Sequence, residues 1–268
     1  MAPLLRPLRL GAAAAVILVA GCSPGTVRLA YRPAVGDVAT YRTSVRAVSV
    51  TTVGEDPPRR RVTSVMLTAR HRVLEAGPAG SRVEVRLRPD GGGTVTFVVR
   101  FDRAGQLSEV QRIEGLPAAA LGDLGLSELF PAAAAAPPRR PLAPGDSWTI
   151  GGPVRLPGTG PAAARLDGTG RLVALAVADG RRLARVDSTY RVPVRRTAAD
   201  TGGRAALEGT LGTRALVAYD LDDREVQSVH ATSSGRYALT LLPPAGVAGT
   251  AVPGVLEVEV TSSTSRVR

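Results

Sequence analysis

Two histidines are the side chains best suited to proton transfer near neutral pH, because an imidazole titrates close to pH 6.5. His71 and His230 are the only histidines of the sequence, and a long stretch of chain separates them. His71 follows the alternation of the apolar residues Val65, Leu67 and Val73, which is typical of one face of a strand. We therefore expect His71 to be an inward-facing histidine with satisfied hydrogen bonds rather than a catalytic base.

Three acidic residues are close enough together to suggest a calcium loop. Asp220, Asp222 and Asp223 supply carboxylate oxygens, but Arg224 stands where a further ligand would fall, and no glycine or terminal glutamate follows at EF-hand spacing. A solvated hairpin turn is the favoured interpretation. The sequence also lacks an HExxH motif, a Walker loop and a cysteine-based metal pattern. It therefore predicts no catalytic residue, no metal and no cofactor.

The single cysteine has a distinctive position close to the N-terminus. Arg6 and Arg9 precede a short apolar run at 10–20, which suits a signal peptide better than a spanning helix of about 20 residues. The sequence Val-Ala-Gly-Cys ends at Cys22, and a Ser-Pro-Gly tether follows. An ordinary secretory signal or an uncleaved anchor helix is the alternative. No disulfide is available within the chain, so the folded part depends on its core alone.

This N-terminal pattern resembles the lipobox of bacterial lipoprotein precursors. The resemblance implies diacylglyceryl transfer to the Cys22 thiol and cleavage between Gly21 and Cys22. It also implies a localisation on the extracytoplasmic face of the cell membrane, anchored by lipid. Two or more acyl chains exceed the marginal hold of a single chain, at about 0.8 kcal/mol for each buried methylene. The membrane is thus the expected partner through Cys22.

The charge and the aromatic content limit the classes of binding partner other than the membrane. All 34 basic residues are arginine, against 23 acidic residues, and removal of the two arginines of the signal leaves a net charge of +9. A cationic domain tethered to an anionic leaflet is attracted to it. The clusters at 59–61, 139–140 and 195–196 stand beside proline or polar residues and are expected to be solvated loop charge. Nucleic acid is not expected, because only nine aromatic residues are available for stacking.

Alternating apolar residues predict strands through most of the chain after residue 32. Val83, Val85 and Leu87 alternate with charged neighbours, and Asp179-Gly180 is a strong two-residue hairpin signal. The predicted strands are 38–53, 62–75, 81–88, 94–101, 107–113, two runs within 171–192, 207–219, 225–232, 237–242 and 256–261. One helix is predicted at 117–130, with Pro117 in its first turn, and 131–144 is expected to be a linker.

The two halves have the same order of parts. Gly36-Asp37 precedes a strand with Tyr41, and Gly145-Asp146 precedes Trp148. Each half contains an aromatic-Asp turn between strands, at Phe101-Asp102 and Tyr219-Asp220. We predict a mainly β fold of two antiparallel β-units, related as an internal repeat, with a short central helix or linker. The predicted divisions are a signal peptide at 1–21, a lipidated tether at 22–32, a first β-unit at 33–116, a helix and linker at 117–144 and a second β-unit at 145–268.

These features together resemble two-repeat bacterial envelope lipoproteins. A more distant likeness is to the lipid and lipoprotein carriers of the cell envelope, which fold a curved antiparallel sheet around an apolar cavity. That likeness implies an apolar ligand or an envelope protein as partner, and a non-enzymatic binding or structural role. An extracytoplasmic hydrolase with a site assembled from scattered residues is the alternative. Tyr41 and Trp148 are expected to be core residues rather than the lining of a pocket.

Overall fold

A single antiparallel sheet forms the described part of the protein. The computed structural model describes residues 25–29, 33–102, 107–114, 137–154, 164–178, 180–200, 203–243 and 249–267. The predicted signal peptide, Gly21, Cys22 and the helix predicted at 117–130 lie outside these ranges. Within the ranges, no segment forms a helix long and apolar enough to cross a membrane.

Eleven strands follow one another along the chain. They are β1 (Val38–Val53), β2 (Arg59–Gly77), β3 (Gly80–Pro89), β4 (Val95–Asp102), β5 (Leu107–Glu114), β6 (Ser147–Val154), β7 (Ala164–Ala178), β8 (Arg181–Asp200), β9 (Gly203–Asp220), β10 (Glu225–Leu242) and β11 (Val252–Val267). The predicted mainly β, antiparallel fold is confirmed. The two predicted units are the two halves of one continuous sheet, joined where β1 pairs with β11.

The strand order shows how the halves relate. Across the sheet it is β5-β4-β3-β2-β1-β11-β10-β9-β8-β7-β6. The strand numbers therefore fall in the same direction within each half, from β5 to β1 and from β11 to β6. The edge strands β5 and β6 lie near each other, which curves the sheet around one interior. Buried apolar residues of both halves belong to a single core cluster. One face of the sheet is therefore the inside of the molecule and the other faces water.

The two Gly-Asp openings occupy equivalent positions. The amide of Gly36 donates to the carbonyl of Val73, as the amide of Gly145 donates to the carbonyl of Leu172. The amides of Val73 and Leu172 in turn donate to the carbonyls of Asp37 and Asp146. The register between neighbouring strands then shifts by one residue, after Val73 in one half and after Leu172 in the other. These matched turns and bulges agree with the predicted internal repeat.

Backbone conformation gives this turn a testable cost. Gly36 and Gly145 have φ of 89° and 98°, which a residue with a Cβ adopts only under strain. We expect Gly145→Ala to lower the free energy of unfolding by about 1–2 kcal/mol. Gly93→Ala is the matched control, because Gly93 has no atom within 4 Å of an added Cβ and its φ is not in the left-handed range. Urea unfolding of both variants tests this, and equal stabilities would contradict it.

The strand boundaries correct two expectations. The segments 225–232 and 237–242 belong to one strand, because Ser233 faces inward and shares a hydrogen bond of 2.9 Å with Thr213. Gly235 leaves room for the ring of Tyr237, which would collide with an added Cβ. The clusters at 59–61 and 195–196 lie on β2 and β8 rather than in loops.

The inner face carries the large side chains that the alternation predicts. In β3, Val83, Val85 and Leu87 are buried, and Tyr41 and Trp148 belong to the core cluster as expected. Trp148 lies across from Gly170, where an added Cβ would come within 2.4 Å of the indole ring. Leu29 and Leu142 are also in the core, so the described parts of the predicted tether and linker pack against the sheet.

Candidate functional site

The structure separates the two histidines. His71 lies on β2 and faces the interior, while His230 lies on β10 and is exposed on the outer face. Strands β1 and β11 stand between them in the sheet. A proton relay between two imidazoles needs both side chains on one side of a cleft. The described sheet therefore does not bring the two predicted bases into one site.

His71 has an apolar environment. Its neighbours in register are Ala39 and Val85, and its ring lies 5.0 Å from the ring of Tyr41, tilted by 55°. Nε2 of His71 is buried and has no hydrogen-bond partner among the described residues, so the expectation of a fully satisfied histidine is wrong at this atom. Burial lowers the pKa of His71 to about 4, because the apolar surroundings penalise the imidazolium form. The side chain is thus a neutral, weakly basic imidazole with one nitrogen available.

This lowered pKa predicts a pH-dependent stability. The unfolded chain takes up a proton near pH 6.5 and the folded chain only near pH 4, so the contribution is full above pH 6.5 and is lost as the pH falls through this window. From pH 7 to pH 5 we expect His71 to cost about 2 kcal/mol of unfolding free energy. His71→Phe removes this share of the pH dependence, and His230→Gln retains it. Urea unfolding at both pH values measures the difference, and identical pH profiles for His71→Phe and the wild type would refute it.

A polar cluster lies beside His71 at the end of the sheet where β1 begins. Tyr41 stands opposite Arg266 in the pairing of β1 with β11, and Nη2 of Arg266 lies 2.7 Å from Oε2 of Glu225. Tyr219 is buried on β9, and its hydroxyl has no hydrogen-bond partner within the described residues. We name these four residues, Tyr41, Tyr219, Glu225 and Arg266, the interior polar cluster.

Burial determines the protonation of this cluster. It raises the pKa of Tyr41 and of Tyr219, so both phenols stay protonated and can donate a hydrogen bond. Burial also raises the pKa of Glu225, and the nearby Arg266 guanidinium partly offsets that effect. With neutral His71, the site offers hydroxyl donors and an imidazole nitrogen, next to one ion pair. Such groups suit recognition of a polar group on a ligand.

The aspartates of the predicted turn are held by arginines. Asp220 is 1% exposed, and Nη1 of Arg181 donates to Oδ2 of Asp220 at 2.5 Å and to Oδ2 of Asp223 at 2.7 Å. Asp222 accepts from Arg182, and Asp223 accepts also from Nη1 of Arg266 at 2.8 Å.

These hydrogen bonds also determine the pKa of Asp220 in the turn between β9 and β10. Burial alone would raise the pKa of Asp220, but hydrogen bonds from Arg181 and from the amides of Asp223 and Asp222 outweigh it and hold this pKa below its usual range. The hairpin turn expected here is present between β9 and β10, with Asp220 buried rather than solvated.

Small and hydroxyl-bearing side chains cover the inner face on β8–β11 and β1. Thr43 and Thr264 share a hydrogen bond of 2.9 Å, and the hydroxyl of Ser188 donates to the carbonyl of Ala215 at 3.4 Å. Three alanines stand among them, at 184, 215 and 231, and each is buried. These side chains are short and their hydroxyls are paired locally, whereas the buried hydroxyl of Tyr219 on β9 has no partner within the described residues.

The sequence missed most of this site. Glu225 and Arg266 stand at strand ends, where alternation is hard to assign, and their proximity depends on the pairing of β1 with β11 across the whole chain. Tyr219 was noted only as part of an aromatic-Asp turn. Tyr219 alternates in step with the inward residues Val217 and Ala215, and this pattern could have predicted that it faces the interior.

Comparison with known proteins gives little to set beside this geometry. No protein-family model matches the chain, and no curated protein matches it either. One solved structure with a similarity is that of DynF from the dynemicin biosynthesis pathway of Micromonospora chersina. It shares 9% identity, with 96% of this chain and 91% of that chain covered, and the TM-score is 0.24.

Proposed function

We propose that this chain is a membrane-tethered envelope lipoprotein whose sheet is a non-enzymatic binding module for an apolar ligand. In this proposal Cys22 carries the acyl anchor and holds the protein on the extracytoplasmic face of the cell membrane. The support for the anchor is the N-terminal sequence, in which two arginines, a short apolar run and Val-Ala-Gly-Cys follow one another. The support for ligand binding is the interior of the sheet.

The observation that carries the proposal is the small inner face. A closed sheet of eight strands is just wide enough for side chains to fill, and this curved sheet has eleven strands. Large buried residues such as Phe97 and Phe101 come from β4, and Trp148, Ile150 and Leu172 come from β6 and β7. The inner faces of β8–β11 contribute mainly alanine, serine, threonine and valine, with Tyr190, Tyr219 and Tyr237 among them. Protein interiors pack to the density of organic crystals. An elongated apolar group, such as an acyl chain, supplies the volume that these short side chains do not.

The polar end of the interior gives the ligand an orientation. Nε2 of His71 and the hydroxyl of Tyr219 are buried without a partner in the part of the chain that the structure describes, and leaving a buried polar atom unpaired costs about 1–3 kcal/mol. A ligand with one hydroxyl or carbonyl group at its end relieves this cost while its apolar part lies along β8–β11. The proposed ligand class is therefore a lipid-like molecule with a single small polar group.

The arrangement of titratable groups supports binding rather than catalysis. His71 stands inside the sheet and His230 outside, and the aspartates of the β9–β10 turn are neutralised by Arg181, Arg182 and Arg266. His71 has no carboxylate neighbour among the described residues that would orient it as a base. General acid–base catalysis needs such positioned pairs.

Quantitative lipid extraction tests the proposal. The wild-type chain, purified from membranes, is expected to yield about one equivalent of noncovalently bound lipid by mass spectrometry. Ala215→Phe fills the interior and is expected to lower that yield at least fivefold. Leu216→Phe is the matched control, because Leu216 is the next residue of β9 and faces outward with 52% of its surface exposed.

Two outcomes would overturn the proposal. A wild-type chain that carries no lipid beyond the background of an unrelated lipoprotein indicates that the interior is filled by the chain itself. Equal yields from Ala215→Phe and Leu216→Phe, with both variants folded by circular dichroism, place the lipid outside the sheet. The wild-type yield decides alone if Ala215→Phe fails to fold.

A further inference from the structure

The outer surface of the first half has an uneven charge. Five exposed arginines share the outer face of β1, β2 and β3, and we name this set the arginine face: Arg42, Arg70, Arg72, Arg86 and Arg88. Side chains at alternate positions of neighbouring strands stand on one side of a sheet. The strand spacing of about 4.8 Å and the rise of about 3.4 Å per residue place the five guanidinium stems within a patch of about 10 by 13 Å.

Register shows that these arginines are crowded. Arg70 stands directly opposite Arg86 in the pairing of β2 with β3. Arg42 and Arg88 both stand opposite Thr68, on its two sides. Like charges directly opposite on neighbouring strands are destabilising. The fold itself therefore gains nothing from the Arg70–Arg86 pair, and its effect on stability is adverse.

Acidic neighbours compensate only part of this charge. Nε of Arg86 lies 2.9 Å from Oε1 of Glu84, and a guanidinium nitrogen of Arg42 is 4.0 Å from a carboxylate oxygen of Asp90. Across the described residues, Arg70, Arg72 and Arg88 have no carboxylate within 4.0 Å in the ion pairs observed. The arginine face thus has five cations and two adjoining acids.

Several outer arginines of the second half are paired with acids, while Arg171, Arg185 and Arg191 have no carboxylate within 4.0 Å in the ion pairs observed among the described residues. Arg214 bonds Asp187 at 2.6 Å, Arg195 bonds Glu208 at 2.5 Å, and Arg236 bonds Glu257 at 2.8 Å. The first half differs in its concentration of unpaired arginines on three neighbouring strands, where Arg70 stands directly opposite Arg86. An anionic surface outside the protein is the partner that the unpaired charge fits.

We propose that the arginine face lies against the anionic headgroups of the membrane to which the chain is tethered. This inference rests on the proposed function for the presence of that membrane. Arg72 pairs with Val38, the first residue of β1, and Leu29 lies at the same end of the sheet, beside Tyr219 and Leu221. The seven residues from Cys22 to Leu29 span at most about 25 Å, so the tether holds this end of the sheet within about 25 Å of the membrane surface.

Vesicle sedimentation of the chain 22–268 with Cys22→Ser isolates the face from both the acyl anchor and the apolar run at 10–20. The probes are sucrose-loaded vesicles of phosphatidylcholine alone and of phosphatidylcholine with 30% phosphatidylglycerol, at low and high salt. We expect binding only to the anionic vesicles, with loss at high salt. Arg70→Gln/Arg86→Gln is expected to weaken it about 30-fold, at the usual contribution of an arginine near an anionic surface. Arg185→Gln/Arg191→Gln removes two exposed charges from β8 and is expected to weaken it less than threefold.

Each result decides the question. Equal losses in the two double variants, or equal binding to both kinds of vesicle, overturn the arginine face. The proposed anchorage is tested separately by fatty-acid labelling of the wild-type chain. Labelled wild type with no preference for anionic vesicles refutes the face alone, while anionic binding without any label supports the face and refutes the lipid anchor.

Discussion

Replacing Cys22 with Ser is expected to abolish incorporation of a labelled fatty acid and to stop processing of the precursor before residue 22. The physical reason is that the thiol is the nucleophile that receives the diacylglyceryl group, and a serine hydroxyl at that position is not a substrate for this transfer in the lipobox pattern that the sequence resembles. Cys22 is the only cysteine of the chain, so no second thiol substitutes for it. The effect is expected to be complete rather than partial.

Membrane fractionation with a labelled fatty acid measures this effect, and Ser23→Ala is the matched control, because it changes the neighbouring residue and leaves the thiol in place. The control is expected to label as the wild type does. Wild-type chain that takes up no label and fractionates as a secreted protein shows that the segment is an ordinary signal with a chance cysteine.

The largest expected loss of folding stability is at Phe97. This side chain is fully buried on β4, opposite Val85, in the large-residue half of the interior. Phe97→Ala removes most of its buried area and leaves a cavity, which typically costs about 3–5 kcal/mol. Val177→Ala is the control, because Val177 is 73% exposed and such a change is expected to stay within about 0.5 kcal/mol.

Denaturant unfolding of the two variants provides the measurement. A loss below about 1 kcal/mol for Phe97→Ala would mean that the interior around β4 collapses onto the missing ring. That outcome would contradict a rigid sheet with a defined interior, and the proposed ligand site depends on such an interior.

The local alternation of apolar residues predicted most of the strands, but β6 lies at 147–154, where no strand was predicted. The predicted strand 38–53 coincides with β1, and the predicted Asp179-Gly180 turn falls between β7 and β8, where Gly180 has φ of 74°. Asp179 itself lies outside the described residues. The Gly-Asp turns were predictable because each is also a local turn, in which the amide of Asp37 donates to the carbonyl of Ala34 and the amide of Asp146 donates to that of Ala143.

The long-range pairing of strands could not be predicted from the sequence. The contact of β1 with β11 unites the two halves into one sheet, and nothing in either strand specifies the other as partner. The break expected at 233–236 shows a related difficulty. Serine and glycine usually mark turns, but here Ser233 is held by Thr213, and Gly235 makes room for Tyr237. Polar residues inside a sheet cannot be told from turn residues until their cross-strand partners are known.

Side-chain function was the least predictable level. Alternation placed His71 inside, but the absence of a partner for its Nε2 among the described residues depends on Ala39 and Tyr41 of β1 and Val85 of β3. The arginines at 59–61 and 195–196 were expected in loops, because proline and polar neighbours resemble turn signals. Their place on β2 and β8 follows from pairing with β1 and β9.

The most direct test of a tethered binding module is the native mass of the wild-type chain. The chain is extracted from membranes in a detergent that is stripped in the gas phase. The account predicts a chain that begins at Cys22 with covalent acyl mass, together with one noncovalent apolar molecule that leaves on collisional activation. A protein of bare polypeptide mass, with neither the acyl addition nor a releasable ligand, would contradict it.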